Sequence, residues 1–158
     1  MAGRLRQINA RGFTLIELVI VVGITAVITV TAMATFTNYW QTSMVKSGAQ
    51  ELASILNTAR ALAIRQNQTV TVNGGSGGTA GKFQVMIGTT PWTALTSDTN
   101  GWTGLNNSII ISAYPGASVQ FTNLGAASPG GTYTVQNTTT SQTLSVIVAV
   151  SGRVSIGP

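Results

Sequence analysis

The chain has 158 residues, a length typical of one domain, and only 7% of them are charged. It contains no His and no Cys, which excludes the usual zinc and iron–sulfur sites and the Ser-His-Asp and Cys-His nucleophile systems. Its three acidic residues, Glu17, Glu51 and Asp98, are far apart in sequence, which argues against a catalytic carboxylate pair. We therefore predict that the chain is not an enzyme and has no cofactor, metal ion or small-molecule ligand.

The net charge of +5 is concentrated at the N-terminus. Arg4, Arg6 and Arg11 lie in the first twelve residues, which contain no acid. The rest of the chain has five basic and three acidic residues, so its net charge is only +2. A positive charge this small does not by itself predict nucleic-acid binding.

Residues 13–36 form an apolar run with a single charge, Glu17. As a helix this run would be about 36 Å long, enough to cross a bilayer core of about 30 Å. The arginines before it predict that residues 1–12 stay in the cytoplasm while the rest crosses the membrane. Three interpretations are open: a secretory signal peptide with a small-residue cleavage triplet at 32–34, a plain anchor, or a span in which Glu17 has a function. The third arises because a carboxylate in such a span costs about 2.5–3.5 kcal/mol.

Residues 11–18 read Arg-Gly-Phe-Thr-Leu-Ile-Glu-Leu. This segment resembles the prepilin processing motif of type IV pilins and type II secretion pseudopilins. The resemblance implies that prepilin peptidase cleaves between Gly12 and Phe13 and that the new Phe13 amine is N-methylated. It also implies a filament in which Glu17, then the fifth residue of the mature chain, pairs with that amine of a neighbouring subunit. Breaking one partner of such a buried pair costs about 3–5 kcal/mol, so Glu17 would set the register of assembly.

Residues 49–66 have the periodicity of an amphipathic helix. The apolar positions occupy an arc of about 120° and comprise Leu52, Ile55, Leu56, Ala59, Leu62 and Ala63. Arg60 lies at the rim of this arc and Arg65 on the opposite side, and solvated charges are favoured there over contacts with an acidic partner. A helix is therefore predicted from Phe13 to about Gln66, with its apolar stripe packed on the strands that follow.

After Asn67 the apolar pattern changes to alternation, which indicates strands. The predicted strands lie near 69–72, 82–88, 108–113, 118–122, 131–137 and 144–156, the last of which divides in two if the chain turns at Ser151-Gly152. Residues 73–81 are rich in glycine but precede an alternating strand rather than a helix, so we expect a hairpin loop and not a phosphate site. Residues 89–107 are expected to form a long ordered loop or a short extra hairpin.

The globular part extends the resemblance to the GspH/FimT family. The segments that carry it are residues 56–72, 119–125 and 148–156, and they resemble the end of the long helix, later strands and a C-terminal Gly-Arg hairpin of that family. The implied fold class is α+β: a long N-terminal helix, membrane-spanning in its first half, packed on antiparallel β-sheets in the pilin-like, GspH-type manner. The implied organisation is a cleaved leader at 1–12, a transmembrane and assembly helix at 13–36, and a periplasmic globular domain at 37–158.

The resemblance implies a minor pseudopilin, a structural subunit of the periplasmic pseudopilus of a type II protein secretion system. Its partners would be prepilin peptidase, other pseudopilins or pilins, and the bacterial inner membrane. The protein would cross that membrane once, with its N-terminus in the cytoplasm and its globular domain in the periplasm.

The alternative is a minor type IV pilin of the FimT kind that assists pilus assembly or DNA uptake. In that branch a C-terminal Gly-Arg-x-Arg element is associated with DNA contact. Here Gly152 and Arg153 match the element, but Ser155 stands where the second arginine would be. Loss of one phosphate contact weakens binding, so DNA is the less favoured partner.

Overall fold

The computed structural model describes residues 12–93, 97–106 and 108–157. The predicted leader as far as Arg11 and part of the predicted 89–107 loop therefore lie outside the described residues. The described chain divides into two compact units, one ending at Asn38 and the other beginning at Tyr39. Helix α1 (Leu15–Gln66) contributes to both units, close to the bounds predicted for it.

In the first unit α1 is apolar on all sides. It contains the one segment, among the described residues, that is long and apolar enough to cross a membrane, with a mean hydropathy of 2.5. Three threonines in this segment donate their hydroxyl hydrogens to carbonyls one turn back: Thr25 to Val21 (2.9 Å), Thr29 to Thr25 (2.7 Å) and Thr31 to Ile28 (2.9 Å). These bonds satisfy the hydroxyls within the helix, which is the requirement for a polar group in hydrocarbon.

The second unit contains two antiparallel sheets. The first sheet comprises β1 (Val70–Gly74), β2 (Lys82–Ile87), β3 (Thr90–Pro91), β4 (Trp102–Gly104) and β6 (Val119–Phe121). The second comprises β5 (Ile109–Ala113), β7 (Gly131–Asn137), β8 (Thr143–Val148) and β9 (Val154–Gly157). The predicted strands are thus confirmed to within a few residues, and the 144–156 segment is two strands.

Strand order in the first sheet is β3-β2-β1-β6, with β4 also paired to β2. Strand order in the second is β5-β7-β8-β9. Residues 89–107, predicted as a long ordered loop or a short extra hairpin, contribute β3 and β4, which do not pair with each other but add to different halves of the same edge of β2. The reason is that β1 occupies only one edge of β2, so the other edge offers its backbone groups to both short strands.

The apolar stripe of α1 supplies one side of the core. Leu52, Ile55, Leu56, Ala59 and Ala63 are buried as predicted, and the stripe extends back to Val45 and Ala49, whereas Leu62 is only partly buried. The two sheets complete the core with the side chains at the inward-facing positions of their strands. In the first sheet Val72 of β1 faces Val85 on one side and Val119 on the other. This alternation of buried and exposed positions fixes the strand registers.

Gly48 marks the closest approach of α1 to the second sheet. It is buried, and a Cβ added to it would lie 2.6 Å from Cγ2 of Ile109 on β5. A helical glycine costs about 1 kcal/mol relative to alanine, so the contact explains a residue that helix propensity disfavours.

We expect Gly48→Ala to destabilise the protein by about 1 kcal/mol, because overpacking of about 1–3 kcal/mol outweighs the gain in helix propensity. Denaturant unfolding of the full chain in detergent micelles measures the change. In an Ile109→Ala background this loss should largely disappear, because the 2.6 Å contact with Cγ2 is gone and the Cβ of residue 109, at 3.2 Å, remains. Ser47→Ala, at the exposed neighbouring position, is the control and should change little. A loss that persists in the Ile109→Ala background would contradict the packing explanation.

Two tyrosines pack edge to face in the second unit. The rings of Tyr114 and Tyr133 have centroids 6.4 Å apart and planes at 82°. The Tyr114 hydroxyl donates to the Lys82 carbonyl, and the Tyr133 hydroxyl makes a long bond of 3.5 Å to the Val72 carbonyl. Burial raises the pKa of Tyr133, and the neighbouring Tyr114 raises that pKa further. Burial also raises the pKa of Tyr114.

The raised pKa of Tyr133 predicts loss of stability at alkaline pH. The native state keeps the phenol neutral above pH 10, while the unfolded chain ionises it at about pH 10. The stabilisation is therefore fully present below about pH 10 and is lost above it, at up to about 1.4 kcal/mol per pH unit. We expect Tyr133→Phe to reduce the slope of unfolding free energy against pH between 10 and 11.5 by about that amount. Equal slopes for the two proteins would contradict the prediction.

Candidate functional site

The predicted processing site lies immediately before α1. Gly12, Phe13 and Thr14 are exposed and outside regular secondary structure, and α1 begins at the next residue. A Cβ added to Gly12 would meet no atom within 4 Å. The peptide bond between Gly12 and Phe13 is therefore accessible, as cleavage by a peptidase requires.

Glu17 lies in the first turn of α1, and Thr14 caps that turn. The Thr14 hydroxyl accepts a hydrogen bond from the Glu17 backbone N–H at 3.2 Å, and the Thr14 carbonyl accepts one from the Leu18 N–H, also at 3.2 Å. This cap satisfies one of the free N–H groups at a helix start, and a carboxylate in the first turn is favourable to the helix dipole. The role of Thr14 was not recognised from the sequence, although a Thr three residues before a Glu ahead of an apolar run is a known signal for it.

Arg153, the other predicted site residue, is exposed in the turn between β8 and β9. Its carbonyl accepts from the Ala149 N–H at 2.9 Å, and the Gly152 N–H donates to the Ala149 carbonyl at 2.8 Å. Gly152 is buried with φ +79°, and a Cβ there would lie 1.9 Å from the carbonyl oxygen of Gly125. Only glycine fits this position, so Gly152 has a structural cause that is independent of ligand binding.

The expectation that Arg60 is a solvated charge is wrong. It is half-buried, and its Nε donates to the Gly125 carbonyl at 2.8 Å, so it is not a freely solvated charge. The turn that contains Gly125 is remote in sequence from α1, which is why helical periodicity alone could not reveal the bond. Arg65 is exposed, as expected.

The two acids of the second unit, Glu51 and Asp98, hold loops in place. Glu51 accepts from the side-chain amide of Asn106 at 2.8 Å. Asp98 accepts from the backbone N–H groups of Asn100 (3.0 Å) and Trp102 (2.8 Å). Each carboxylate therefore has a structural role in a different segment. Among residues 12–93, 97–106 and 108–157 no group of three or more His, Cys, Asp and Glu side chains could hold a metal ion.

A helix with an apolar first half, followed by two antiparallel sheets packed on its second half, defines a pilin-like protein. Residues 8–33 match the prokaryotic N-terminal methylation motif, which covers Gly12, Phe13 and Glu17. Residues 48–152 match the family described as type II transport protein GspH, and the chain belongs to this family.

Two solved structures share the fold. The type IV minor pilin FimU of Pseudomonas aeruginosa is 17% identical, covers 76% of this chain and 92% of its own, and gives a TM-score of 0.52. The minor pseudopilin EpsH of the Vibrio cholerae type 2 secretion system is 12% identical, covers 71% and 94%, and gives a TM-score of 0.53. At these identities the likeness establishes the fold alone. No curated protein sequence matches the chain.

Proposed function

We propose that the protein is a minor pseudopilin, a structural subunit of the periplasmic pseudopilus of a type II protein secretion system. The family description, type II transport protein GspH, is consistent with this proposal. The single observation that carries a filament role is the N-terminal arrangement: an exposed Gly12-Phe13 bond directly before an apolar helix whose only charge in residues 13–36 is Glu17, in its first turn.

The arrangement supports a defined sequence of events. The chain inserts in the inner membrane with its leader in the cytoplasm and its globular domain in the periplasm, as the positive charge of the leader favours. Prepilin peptidase cleaves after Gly12, and the Phe13 amine becomes methylated and positively charged. In the filament this amine pairs with Glu17 of a neighbouring subunit, which removes the cost that each charge has alone in hydrocarbon.

Intact mass and N-terminal sequence of the protein purified from its native membrane test this proposal. A chain that begins at Phe13 and is heavier by one methyl group is the expected result. A chain that begins near Thr35 would overturn it, because cleavage after residues 32–34 identifies an exported protein without a membrane helix.

Gly12→Val gives a matched variant for the same measurement. Because open space surrounds Gly12, the substitution should leave the fold and membrane insertion unchanged. We expect it to block cleavage, so that the purified chain retains Arg11 and the residues before it. Normal processing of this variant would contradict recognition of the Gly12-Phe13 bond by the peptidase.

Two null phenotypes distinguish the secretion system from the alternative, a minor type IV pilin. Deletion of the gene should leave secreted proteins in the periplasm if the subunit belongs to a pseudopilus, and should instead reduce surface pili if it belongs to a type IV pilus. The exposed Arg153 is the observation that keeps DNA uptake as the second candidate. A gel shift at low salt that is lost on Arg153→Ala would support DNA contact, and its absence would disfavour that contact.

A further inference from the structure

Two turns meet near the C-terminal end of α1: the first is hydrogen-bonded to α1 and to Asn67 just after it, and the second is hydrogen-bonded to the residue that follows the first. Arg60 donates to the carbonyl of the 122–126 turn at Gly125 (2.8 Å). The Asn123 amide donates to the Asn67 side-chain oxygen just after α1 (2.8 Å). The second turn, 149–153, is joined to the first by the bond from the Ala127 N–H to the Val150 carbonyl (2.9 Å). The backbone here is held in one arrangement, so little order remains to be gained on binding.

The two turns and the end of α1 expose large aliphatic side chains to solvent. Leu124 is 86% exposed, Val150 70% and Ile64 50%. Ile64 lies beside the first turn, since its Cδ1 would be 2.8 Å from a Cβ at Gly125. Single exposed apolar residues are ordinary, but three on adjoining hydrogen-bonded segments form a patch of the kind that partners cover. We name Arg60, Ile64, Leu124, Val150 and Arg153 the α1-end surface.

The charge on this surface has one sign. Arg153 is exposed in the second turn, and Arg60, the other charged member, is half-buried with its Nε on the Gly125 carbonyl. Residues 60–66, 122–126 and 149–153 contain no acid. The nearest acid along α1 is Glu51, nine residues before Arg60 or about 13 Å along the helix axis, and it is bonded to Asn106. The complementary partner surface is therefore acidic as well as apolar.

A second copy of this chain does not fit that description. Its three acids are Glu17, in the apolar segment, Glu51, which accepts from Asn106, and Asp98, which accepts from backbone N–H groups of its own loop. Nucleic acid fits less well than protein. Single-stranded DNA binds by stacking its bases on aromatic rings, whereas the exposed side chains here are aliphatic. Duplex DNA binds through several Lys and Arg contacts to phosphate, whereas of the two arginines in this surface only Arg153 is fully exposed.

We propose that the α1-end surface docks a different protein, one that presents carboxylates around an apolar side chain. The proposal goes beyond the assembly role argued from Glu17, because it concerns other residues and requires neither processing nor filament formation.

Photocrosslinking in the native cell tests it, with p-benzoylphenylalanine placed in the full chain at Leu124. The control places the same group at Ile147 on β8, which is 40% exposed. We expect the Leu124 position to form an adduct with another protein, mapped to a segment with Asp or Glu beside an apolar residue, and the Ile147 position not to form it. Arg153→Glu should reduce this adduct at least fivefold, whereas Lys46→Glu, the same charge change at an exposed site on α1, should leave it unchanged.

Other outcomes overturn the proposal. These are an adduct with a second copy of the chain, a nuclease-sensitive adduct, an adduct with a segment lacking acids, an adduct insensitive to Arg153→Glu, or no adduct specific to Leu124. Intact mass of the same samples shows separately whether the chain begins at Phe13, so failure of docking and failure of processing are told apart. Equal protease resistance of the variants and the parent protein shows that folding is unchanged.

Discussion

Glu17→Gln should reduce incorporation of the subunit into filaments at least a hundredfold. The substitution keeps the size of the side chain and removes its charge, so the Phe13 amine of the neighbouring subunit would be buried without a counter-ion. An uncompensated buried charge costs about 3–5 kcal/mol, which is a factor of a hundred or more in the assembly equilibrium. The measurement is the ratio of the subunit in sheared or purified filaments to that in the membrane fraction.

Two controls separate assembly from earlier steps. Removing a charge from an apolar helix favours membrane insertion, so the variant should reach the membrane normally and begin at Phe13 after processing. Glu51→Gln removes a carboxylate from the globular unit and should leave incorporation near the parent level, because Glu51 bonds Asn106 within that unit. Parent-level incorporation of Glu17→Gln would disprove the role of the pair in register.

Gly152→Ala should destabilise the globular unit by about 2–4 kcal/mol. The residue has φ +79°, where an L side chain is strained by about 1–3 kcal/mol, and its Cβ would lie 1.9 Å from a backbone oxygen of Gly125. Backbone cannot move aside as a flexible side chain can, so relief requires the two turns to separate and the Arg60–Gly125 bond to weaken. Denaturant unfolding of the full chain in micelles gives the magnitude.

Gly116→Ala is the matched control for that measurement. A Cβ at Gly116 meets nothing within 4 Å, so its substitution should change the unfolding free energy by no more than about 0.5 kcal/mol. A Gly152→Ala loss below about 1 kcal/mol would show that the turns can separate without cost. The contact would then not explain the glycine.

Local pattern predicted most of the architecture. The period of the α1 stripe placed Leu52, Leu56 and Ala59 in the core, and alternation placed the main strands, because burial on one face leaves a regular trace in sequence. The pairing of β3 and β4 with β2 was missed because two- and three-residue strands carry no period of their own.

The candidate site was predicted only in part, because sequence pattern reveals residues that lie close together along the chain and not those that folding brings together. Gly12, Phe13 and Glu17 lie in one short motif at fixed spacing, so a single stretch of sequence reveals them all. The α1-end surface joins segments at 60–64, 122–126 and 149–153, and only the folded chain brings them together. Arg60 looked like a rim charge on a helix because its acceptor, the Gly125 carbonyl, belongs to a turn sixty-five residues away.

The edges of the two sheets are protected against unwanted strand pairing. The outer edge of β2 is closed by two very short strands, one of which contains Pro91, a residue without a backbone N–H. Next to β6 the chain folds back on itself, with the Ser128 N–H donating to the Gln120 carbonyl at 2.8 Å. In the second sheet, β5 has a register shift between Ile111 and Ala113, and β9 has four residues. Within the part of the chain that the structure describes, neither sheet therefore offers a long free edge to a neighbouring chain, which disfavours aggregation through the sheets.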